Sequence, residues 1–195
     1  IANVSGRDSL ELRRTLLAGH PRHLGVLEVA ARQAGWGGPL PAGHAMGIAV
    51  HASFGSYVAQ VAEVSVNKAG KVLVHRVVCA VDCGLPINPD IIKAQMEGGI
   101  GFGLGAILKG EITLDGGRVE QANFDDYDPT RFSEMPKVEV HIVKSLAAPS
   151  GIGEPGVPPA GAAIANAIFA ATGVRVRELP VGRQLDGWET KVAAG

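Results

Sequence analysis

Hydrophobic positions near the start of the chain recur every three or four residues, which predicts two helical segments between Asp8 and about Gly35. Pro21 divides the two segments, and the glycine-rich run that begins at Gly35 ends the second. Their apolar faces contain Leu10, Leu12, Leu16 and Leu17 in the first segment and Leu24, Leu27, Ala30, Ala31 and Ala34 in the second. Residues 37–43 are rich in Gly and Pro and are typical of a linker.

The following apolar segments are rich in Val and Ala and have the short, alternating pattern of β-strands. Strands are predicted at residues 47–52, 57–66, 71–81, 137–144 and 174–179. A turn at residues 67–70 joins the second and third strands, so residues 57–81 are predicted to form a hairpin. The tripeptide Asp115-Gly116-Gly117 predicts a further small hairpin.

Two later helices have clear end signals. Asn88 is a typical N-cap and Pro89 a typical first helical residue, so a helix is predicted from there to about Leu108. After a loop at residues 145–158, a second helix is predicted at 160–172, ended by Gly173. Because the strands and helices do not alternate regularly, the pattern predicts an α+β fold with a two-layer mixed sheet and packed helices.

The composition is that of a globular chain with a core of Val, Ile, Leu and Ala. Of its 195 residues, 46% are hydrophobic and only 5% aromatic, and 18 basic residues nearly balance 19 acidic ones. This balance gives no electrostatic reason to expect nucleic-acid binding, and no apolar run is long enough to insert into a membrane. Two cysteines are too few for a disulfide framework, which favours a reducing compartment. We therefore expect a cytoplasmic protein, with the periplasm as the alternative. The predicted domains are a helical segment with its linker at residues 1–43 and a larger domain at 44–195.

The 27 glycines include a concentrated run at residues 98–106, in which Gly101, Gly103 and Ala106 fit a relaxed dinucleotide-binding pattern. These glycines lie inside a predicted helix, whereas a dinucleotide loop joins a strand to a helix. The run is therefore interpreted first as a surface for close packing, with close approach of a rigid ligand as the alternative.

Glu154 lies in a second segment that is rich in Gly and Pro, residues 151–159. Prolines restrict the backbone, so this segment is suited to aiming one side chain. A carboxylate held among apolar residues is a candidate general base. The alternative is a loop carboxylate that interacts with the N-terminus of the following helix.

Three small polar groups are weak candidates for a metal site, because each offers too few ligands. They are His20 with His23, Cys79 with Cys83, and Asp125, Asp126 and Asp128. We interpret them as a surface feature, as buried apolar filler and as a solvated loop, respectively. The chain also lacks the Gly-x-Ser-x-Gly pattern of a hydrolase nucleophile.

Several ordered motifs, spread from about Leu10 to Pro180, together resemble one enzyme family. They are Cys79-Ala-Val-Asp82-Cys83-Gly84, Asn88-Pro89-Asp90, Gln95-Met96-Glu97-Gly98-Gly99, Gly103-Leu104-Gly105, Asn123-Phe124-x-x-Tyr127, Met135-Pro136 and Gly151-x-Gly153-Glu154-Pro155-Gly156-x-Pro158-Pro159. This series resembles the molybdopterin-binding large subunit of the xanthine dehydrogenase and aldehyde oxidase family. Residues 53–64 are similar to the isoquinoline 1-oxidoreductase β-subunit branch.

The resemblance implies a molybdenum hydroxylase, which hydroxylates an N-heteroaromatic compound or an aldehyde with oxygen from water. It implies that Glu154 is the active-site base and that Gln95 contacts the pterin. Gly98 and Gly99 would allow the cofactor to approach closely, and the backbone of Gly151, Ile152 and Gly153 would lie near the metal ligands. The pterin dithiolene holds the metal in this family, so no protein metal ligands are expected.

The same resemblance implies a molybdenum-pyranopterin cofactor, in the cytosine dinucleotide form. The implied partners are the rest of the large subunit, a small subunit with 2Fe–2S centres and a small-molecule substrate. Since the family's large subunit is much longer, residues 44–195 are expected to be its C-terminal cofactor-binding domain. The isolated 195 residues are expected to hold no molybdenum and to be inactive. The alternative is a non-catalytic interaction module that retains the fold.

Overall fold

The computed structural model describes residues 1–189, which contain four α-helices, two short 3-10 helices and six strands. The helices are α1 (Ser9–Leu16), α2 (Pro21–Ala34), α3 (Pro89–Leu108) and α4 (Val157–Thr172). The strands are β1 (His44–Ser53), β2 (Ser56–Val66), β3 (Val72–Asp82), β4 (Leu114–Asp115), β5 (Arg118–Val119) and β6 (Lys137–Ile142). Both predicted pairs of helices and the hairpin at residues 57–81 are confirmed.

The main sheet is mixed and has the strand order β1-β2-β3-β6. The first three strands are antiparallel neighbours, and β6 pairs with β3 in parallel. Phe54 and Gly55, which join β1 to β2, both have positive φ, as a tight hairpin turn requires. β4 and β5 form a separate small hairpin around Gly116 and Gly117, as the sequence predicts.

Helices cover both faces of the sheet. One core cluster contains α3 and α4 with residues such as Val58 and Val77, and the other contains α1 and α2 with residues such as Val61 and Val78. The α+β class and the mixed sheet with packed helices are confirmed, but the arrangement is three layers rather than the expected two. The reason is that β2 and β3 are apolar on both faces, so each face needs a cover.

The strand predicted at residues 174–179 is wrong, because the described chain has an irregular segment there. The side chain of Gln184 occupies its backbone groups. Its Oε1 accepts from the N–H groups of Arg177 at 3.0 Å and Glu178 at 3.2 Å, and its Nε2 donates to the carbonyl of Glu178 at 2.7 Å. A side chain therefore takes the place of a neighbouring strand.

Close packing explains most of the glycine run in α3. A Cβ on Gly103 would lie 3.2 Å from the Cβ of Ala160 in α4, and one on Gly101 would lie 2.9 Å from Met135 Sδ. Gly98 differs, since a Cβ there would meet nothing within 4 Å in the described chain. The packing interpretation is thus confirmed for Gly101 and Gly103 and leaves Gly98 without a structural reason.

Among the described helices, none combines the length and apolar character that a membrane crossing requires.

Candidate functional site

Residues 150–156, hereafter the Glu154 segment, lead directly into α4 and are anchored at their start by the ends of three strands. The N–H of Gly151 donates to the carbonyl of Phe54 at 2.9 Å, and Ser56 Oγ donates to the carbonyl of Gly151 at 2.7 Å. The N–H of Ser150 donates to the carbonyl of Cys83 at 3.0 Å. The segment therefore begins from a fixed position at one end of the sheet.

A buried side chain anchors the other end of the segment. Gln60 of β2 is fully buried, and its Nε2 donates to the carbonyl of Gly156 at 2.7 Å. A Cβ on Gly156 would lie 3.3 Å from the Met96 carbonyl oxygen, so this residue is also held against α3. Glu154 lies exposed between the two anchors, and its side chain makes no hydrogen bond or ion pair within residues 1–189. The fold thus presents one carboxylate on a fixed backbone.

The Glu154 segment also contains backbone N–H groups without an acceptor in the described chain. Within the described chain, the N–H groups of Ile152, Gly153 and Glu154 donate to no other residue. The helix that follows offers few donors of its own, because Pro158 and Pro159 occupy its first turn and lack N–H groups. Adjacent unpaired N–H groups suit a ligand that is rich in oxygen or sulfur acceptors.

The N-terminal half of α3 lies beside the Glu154 segment. Gly99 is buried there, and its added Cβ would lie 3.5 Å from the Gly156 carbonyl carbon and 3.4 Å from Val157 Cγ2. Gln95 and Gly98 are exposed on the same half of the helix. The structure therefore packs the helical segment 95–99 against the end of the Glu154 segment, with Met96 and Gly99 at Gly156.

Apolar surface adjoins this region. A pocket of about 170 Å³ is lined by Cys83, Leu85, Ile87, Asn88, Ile91, Ile92, Pro149, Ser150 and Ile152. Nearby large side chains are strongly exposed: Ile87 is 74% exposed and Phe54 62%. An apolar pocket beside a few convergent polar groups is the usual form of a small-molecule site.

An ion pair that the sequence analysis did not identify fixes the turn beneath the Glu154 segment. Arg22 of α2 binds Asp82 at the end of β3 through two contacts, Nε to Oδ2 at 2.7 Å and Nη2 to Oδ1 at 2.8 Å. Asp82 Oδ1 also accepts from the N–H of Gly84 at 3.0 Å, and the Arg22 guanidinium lies 4.3 Å from the Tyr57 ring centre. The pair thereby connects α2 to the turn that binds Ser150.

The Arg22–Asp82 pair predicts a pH dependence of stability. The hydrogen bonds from Arg22 lower the pKa of Asp82, whose side chain is only 6% exposed. A lowered pKa means that the stabilisation is complete above roughly pH 4, the unfolded-state value, and is lost as the pH falls through the folded value. Asp82→Asn is expected to cost about 2 kcal/mol at pH 7, since Arg22 is partly exposed, and to cost progressively less toward pH 3. Urea unfolding at pH 7, 5 and 3 measures this.

Glu11→Gln is the control, because the Arg14–Glu11 ion pair is exposed and within one helix. This variant is expected to change the unfolding free energy by less than about 0.5 kcal/mol at every pH. If Asp82→Asn lowers the unfolding free energy by the same amount from pH 7 to pH 3, the ionised Asp82 carboxylate does not stabilise the fold through its pair with Arg22.

Two of the three weak metal candidates have other roles in the structure, and His20 and His23 form an edge-to-face contact with ring centres 5.6 Å apart. Cys79 and Cys83 are buried free thiols, and burial raises the pKa of Cys79 to about 12, which confirms the interpretation as apolar filler. Asp126 accepts from the backbone N–H groups of Ala122 and Asn123. The described residues contain no group of three or more His, Cys, Asp or Glu side chains arranged to hold a metal ion.

Comparison with known proteins gives a consistent result. The sequence matches the family of molybdopterin cofactor-binding domains over residues 39–136. It is 36% identical to the isoquinoline 1-oxidoreductase subunit beta of Brevundimonas diminuta, over 93% of this chain and 24% of that protein. It is 32% identical to a membrane-bound, pyrroloquinoline-quinone aldehyde dehydrogenase of Gluconacetobacter polyoxogenes, over 93% of this chain and 26% of that protein.

A solved structure shows the same fold. The chain superposes on CO dehydrogenase from Oligotropha carboxidovorans with a TM-score of 0.63 and 22% identity, over 71% of this chain and 19% of that one. The chain thus spans about a quarter or less of the relatives it matches. It belongs to the family of molybdopterin cofactor-binding domains.

Proposed function

We propose that this chain forms one wall of the cofactor site in the catalytic subunit of a molybdenum hydroxylase. The proposed reaction is the oxidative hydroxylation of an N-heteroaromatic compound or an aldehyde, with water as the oxygen source. The observation that carries the proposal is the exposed Glu154 carboxylate, held on a backbone that is anchored at both ends. The names of the two relatives, one an isoquinoline oxidoreductase and one an aldehyde dehydrogenase, support both substrate classes.

The residues present fit a molybdenum-pyranopterin cofactor. The free N–H groups of Ile152, Gly153 and Glu154 suit its acceptor atoms, the exposed Gln95 amide suits the polar edge of a pterin, and Gly98 leaves open space. Gly99 lets α3 lie close to Gly156, at the end of the Glu154 segment. When bound, the cofactor supplies two-electron redox chemistry. We infer that the pterin is in its cytosine dinucleotide form from the resemblance of the sequence motifs to this enzyme family.

Glu154 then acts as a general base. Its carboxylate would accept the proton of the water-derived oxygen as that oxygen attacks an electrophilic carbon, and the C–H bond of that carbon would break, giving its hydrogen and two electrons to the redox chemistry that the cofactor would supply. Pro155 restricts the backbone beside it, and the Gln60 contact to Gly156 prevents the segment from drifting. Such fixed placement reduces the entropy that must be lost to reach the reactive geometry. The electrons leave through the proposed 2Fe–2S small subunit, in line with the name "subunit beta" of one relative.

Gly98→Leu tests the proposed cofactor position. Because nothing lies within 4 Å of an added Cβ in the described chain and leucine favours a helix interior more than glycine does, the unfolding free energy is expected to rise by about 0.5 to 1 kcal/mol. In the whole protein the leucine side chain would occupy the space assigned to the pterin. The affinity for the cofactor is therefore expected to fall about tenfold, a cost similar to that of overpacking a protein core. Molybdenum content per protein, measured by mass spectrometry, reports this loss.

Lys93→Leu is the matched control, since it adds a leucine to another exposed position of α3. Full molybdenum content in Gly98→Leu as well as in Lys93→Leu would remove Gly98 from the site. The same measurement on the isolated 195 residues is expected to find no molybdenum, because about a quarter of a subunit supplies only one wall of the site.

A further inference from the structure

A second concave region, remote from Glu154, contains three arginines from separate segments. It has a volume of about 560 Å³ and lies between α1 and the C-terminal end of α4. Its lining includes Arg7 before α1, Arg13 within α1 and Arg175 after α4. We call this region the arginine cleft. From Val157 to Phe169, α4 rises roughly 18 Å, so the cleft and the Glu154 segment lie at opposite ends of that helix.

The arginines of the cleft are positioned but not neutralised. Within residues 1–189, none of them forms an ion pair with a carboxylate. Arg13 Nη1 donates to the carbonyl of Ser9 at 2.9 Å, and Arg7 Nη2 donates to Thr15 Oγ1 at 2.8 Å. The guanidinium of Arg175 stacks 3.2 Å from the centre of the Phe169 ring. Each contact orients a guanidinium and leaves further N–H donors available.

Asp8 is the one carboxylate among the residues that line the cleft. Its Oδ1 caps α1 by accepting from the N–H groups of Leu10 and Glu11, and its Oδ2 accepts from Trp36 Nε1 at 3.2 Å. Asp8 therefore already accepts three hydrogen bonds within the protein. Three arginines share the lining with this single carboxylate, and burial lowers the pKa of Arg13 by more than the nearby charge of Asp8 raises it.

We propose that the arginine cleft binds a small multivalent oxyanion, a phosphate or a polycarboxylate. Planar guanidinium groups bind such oxygens through paired hydrogen bonds, and a charge-assisted bond is stronger than a neutral one. Apolar side chains of the lining, including Leu12 and Met46, reduce the water that competes for these bonds. A small ligand is favoured over an acidic protein segment because the three arginines line one concavity instead of following an extended surface.

Calorimetric titration of the whole, cofactor-loaded protein tests the proposal, with inorganic pyrophosphate and citrate as separate probes. At least one probe is expected to bind saturably at one site, and added sodium chloride is expected to weaken that binding. The double variant Arg7→Gln/Arg175→Gln is expected to weaken it about tenfold or more, because it removes two exposed cations. Arg118→Gln, which removes an exposed cation from β5, is the matched control and is expected to bind as the unchanged protein does.

Each outcome decides between readings of the cleft. Binding of pyrophosphate alone assigns a phosphate site, and binding of citrate alone assigns a carboxylate site. Equal affinity in the cleft variant and in Arg118→Gln would overturn the proposal, as would binding of an octaglutamate peptide without either small anion. Circular dichroism and the unfolding midpoint confirm that the double variant is folded. Arg13→Lys, which keeps the charge and loses the planar fork, is expected to weaken binding as well.

Discussion

Glu154→Gln is expected to lower turnover by about 10²- to 10⁴-fold in the whole protein, the usual contribution of a general base. The glutamine amide keeps the size of the side chain, but it cannot accept a proton near neutral pH. The fold does not depend on the carboxylate, because it makes no hydrogen bond or ion pair within residues 1–189. Molybdenum content and the unfolding free energy are therefore expected to remain unchanged while the reaction stops.

Substrate-dependent dye reduction measures this effect, with an aldehyde and an N-heteroaromatic compound as separate substrates. Glu111→Gln is the control, since it neutralises another exposed carboxylate beyond the end of α3. Full turnover of Glu154→Gln with its molybdenum intact would exclude Glu154 as the base. A protein without turnover before any substitution, but with a normal fold, would instead favour the non-catalytic interaction module.

The elements that the sequence predicted well are those whose ends are encoded locally. Asn88 Oδ1 accepts from the N–H groups of Asp90 and Ile91, both at 3.1 Å, and α3 begins at the next residue, as the Asn-Pro-Asp pattern predicted. Gly35 and Gly173 end α2 and α4 in the left-handed conformation. Each of these signals acts within a few residues, so no knowledge of the rest of the fold is needed.

Contacts between distant residues decided the features that the sequence did not predict. Residues 174–179 have an apolar alternation typical of a strand, but the side chain of Gln184 satisfies part of their backbone. The third layer arises because α2 packs on the second face of the sheet, which alternation in single strands does not reveal. Contacts with distant parts of the chain thus prevented residues 174–179 from forming the strand that their local pattern favours.

The candidate site divides in the same way. The rigid Gly and Pro pattern around Glu154 identified the segment from local sequence alone. The contacts that anchor it join residues far apart in the sequence. Gln60 and Gly156 are 96 positions apart, and Arg22 and Asp82 are 60 positions apart. A weak signal for Gln60 was present, since an uncharged polar residue in an apolar strand must find a partner when it is buried. Nothing in the sequence indicated that Gly156 would be that partner.

Gly84→Ala is expected to destabilise the protein by about 3 to 5 kcal/mol, among the largest effects of a single substitution. Gly84 has a φ of +75°, which side chains rarely adopt. An added Cβ would lie 2.1 Å from the Ala148 carbonyl oxygen and 2.7 Å from that of Ala147. These backbone atoms cannot rotate away as a side chain does. The loop is also tied at this point by the hydrogen bond from the Leu85 N–H to the carbonyl of Ala147 at 2.9 Å.

Urea unfolding measures the loss, and Gly116→Ala separates its two causes. Gly116 also has a positive φ, of +55°, but an added Cβ there would meet nothing within 4 Å of the described chain. Gly116→Ala is thus expected to cost only about 1 to 2 kcal/mol, the conformational part alone. Equal costs at the two positions would show that the loop moves away from Gly84 freely. If the cost is unequal as expected, Gly84→Ala also displaces the start of the Glu154 segment, and residual folded protein is expected to have lost turnover.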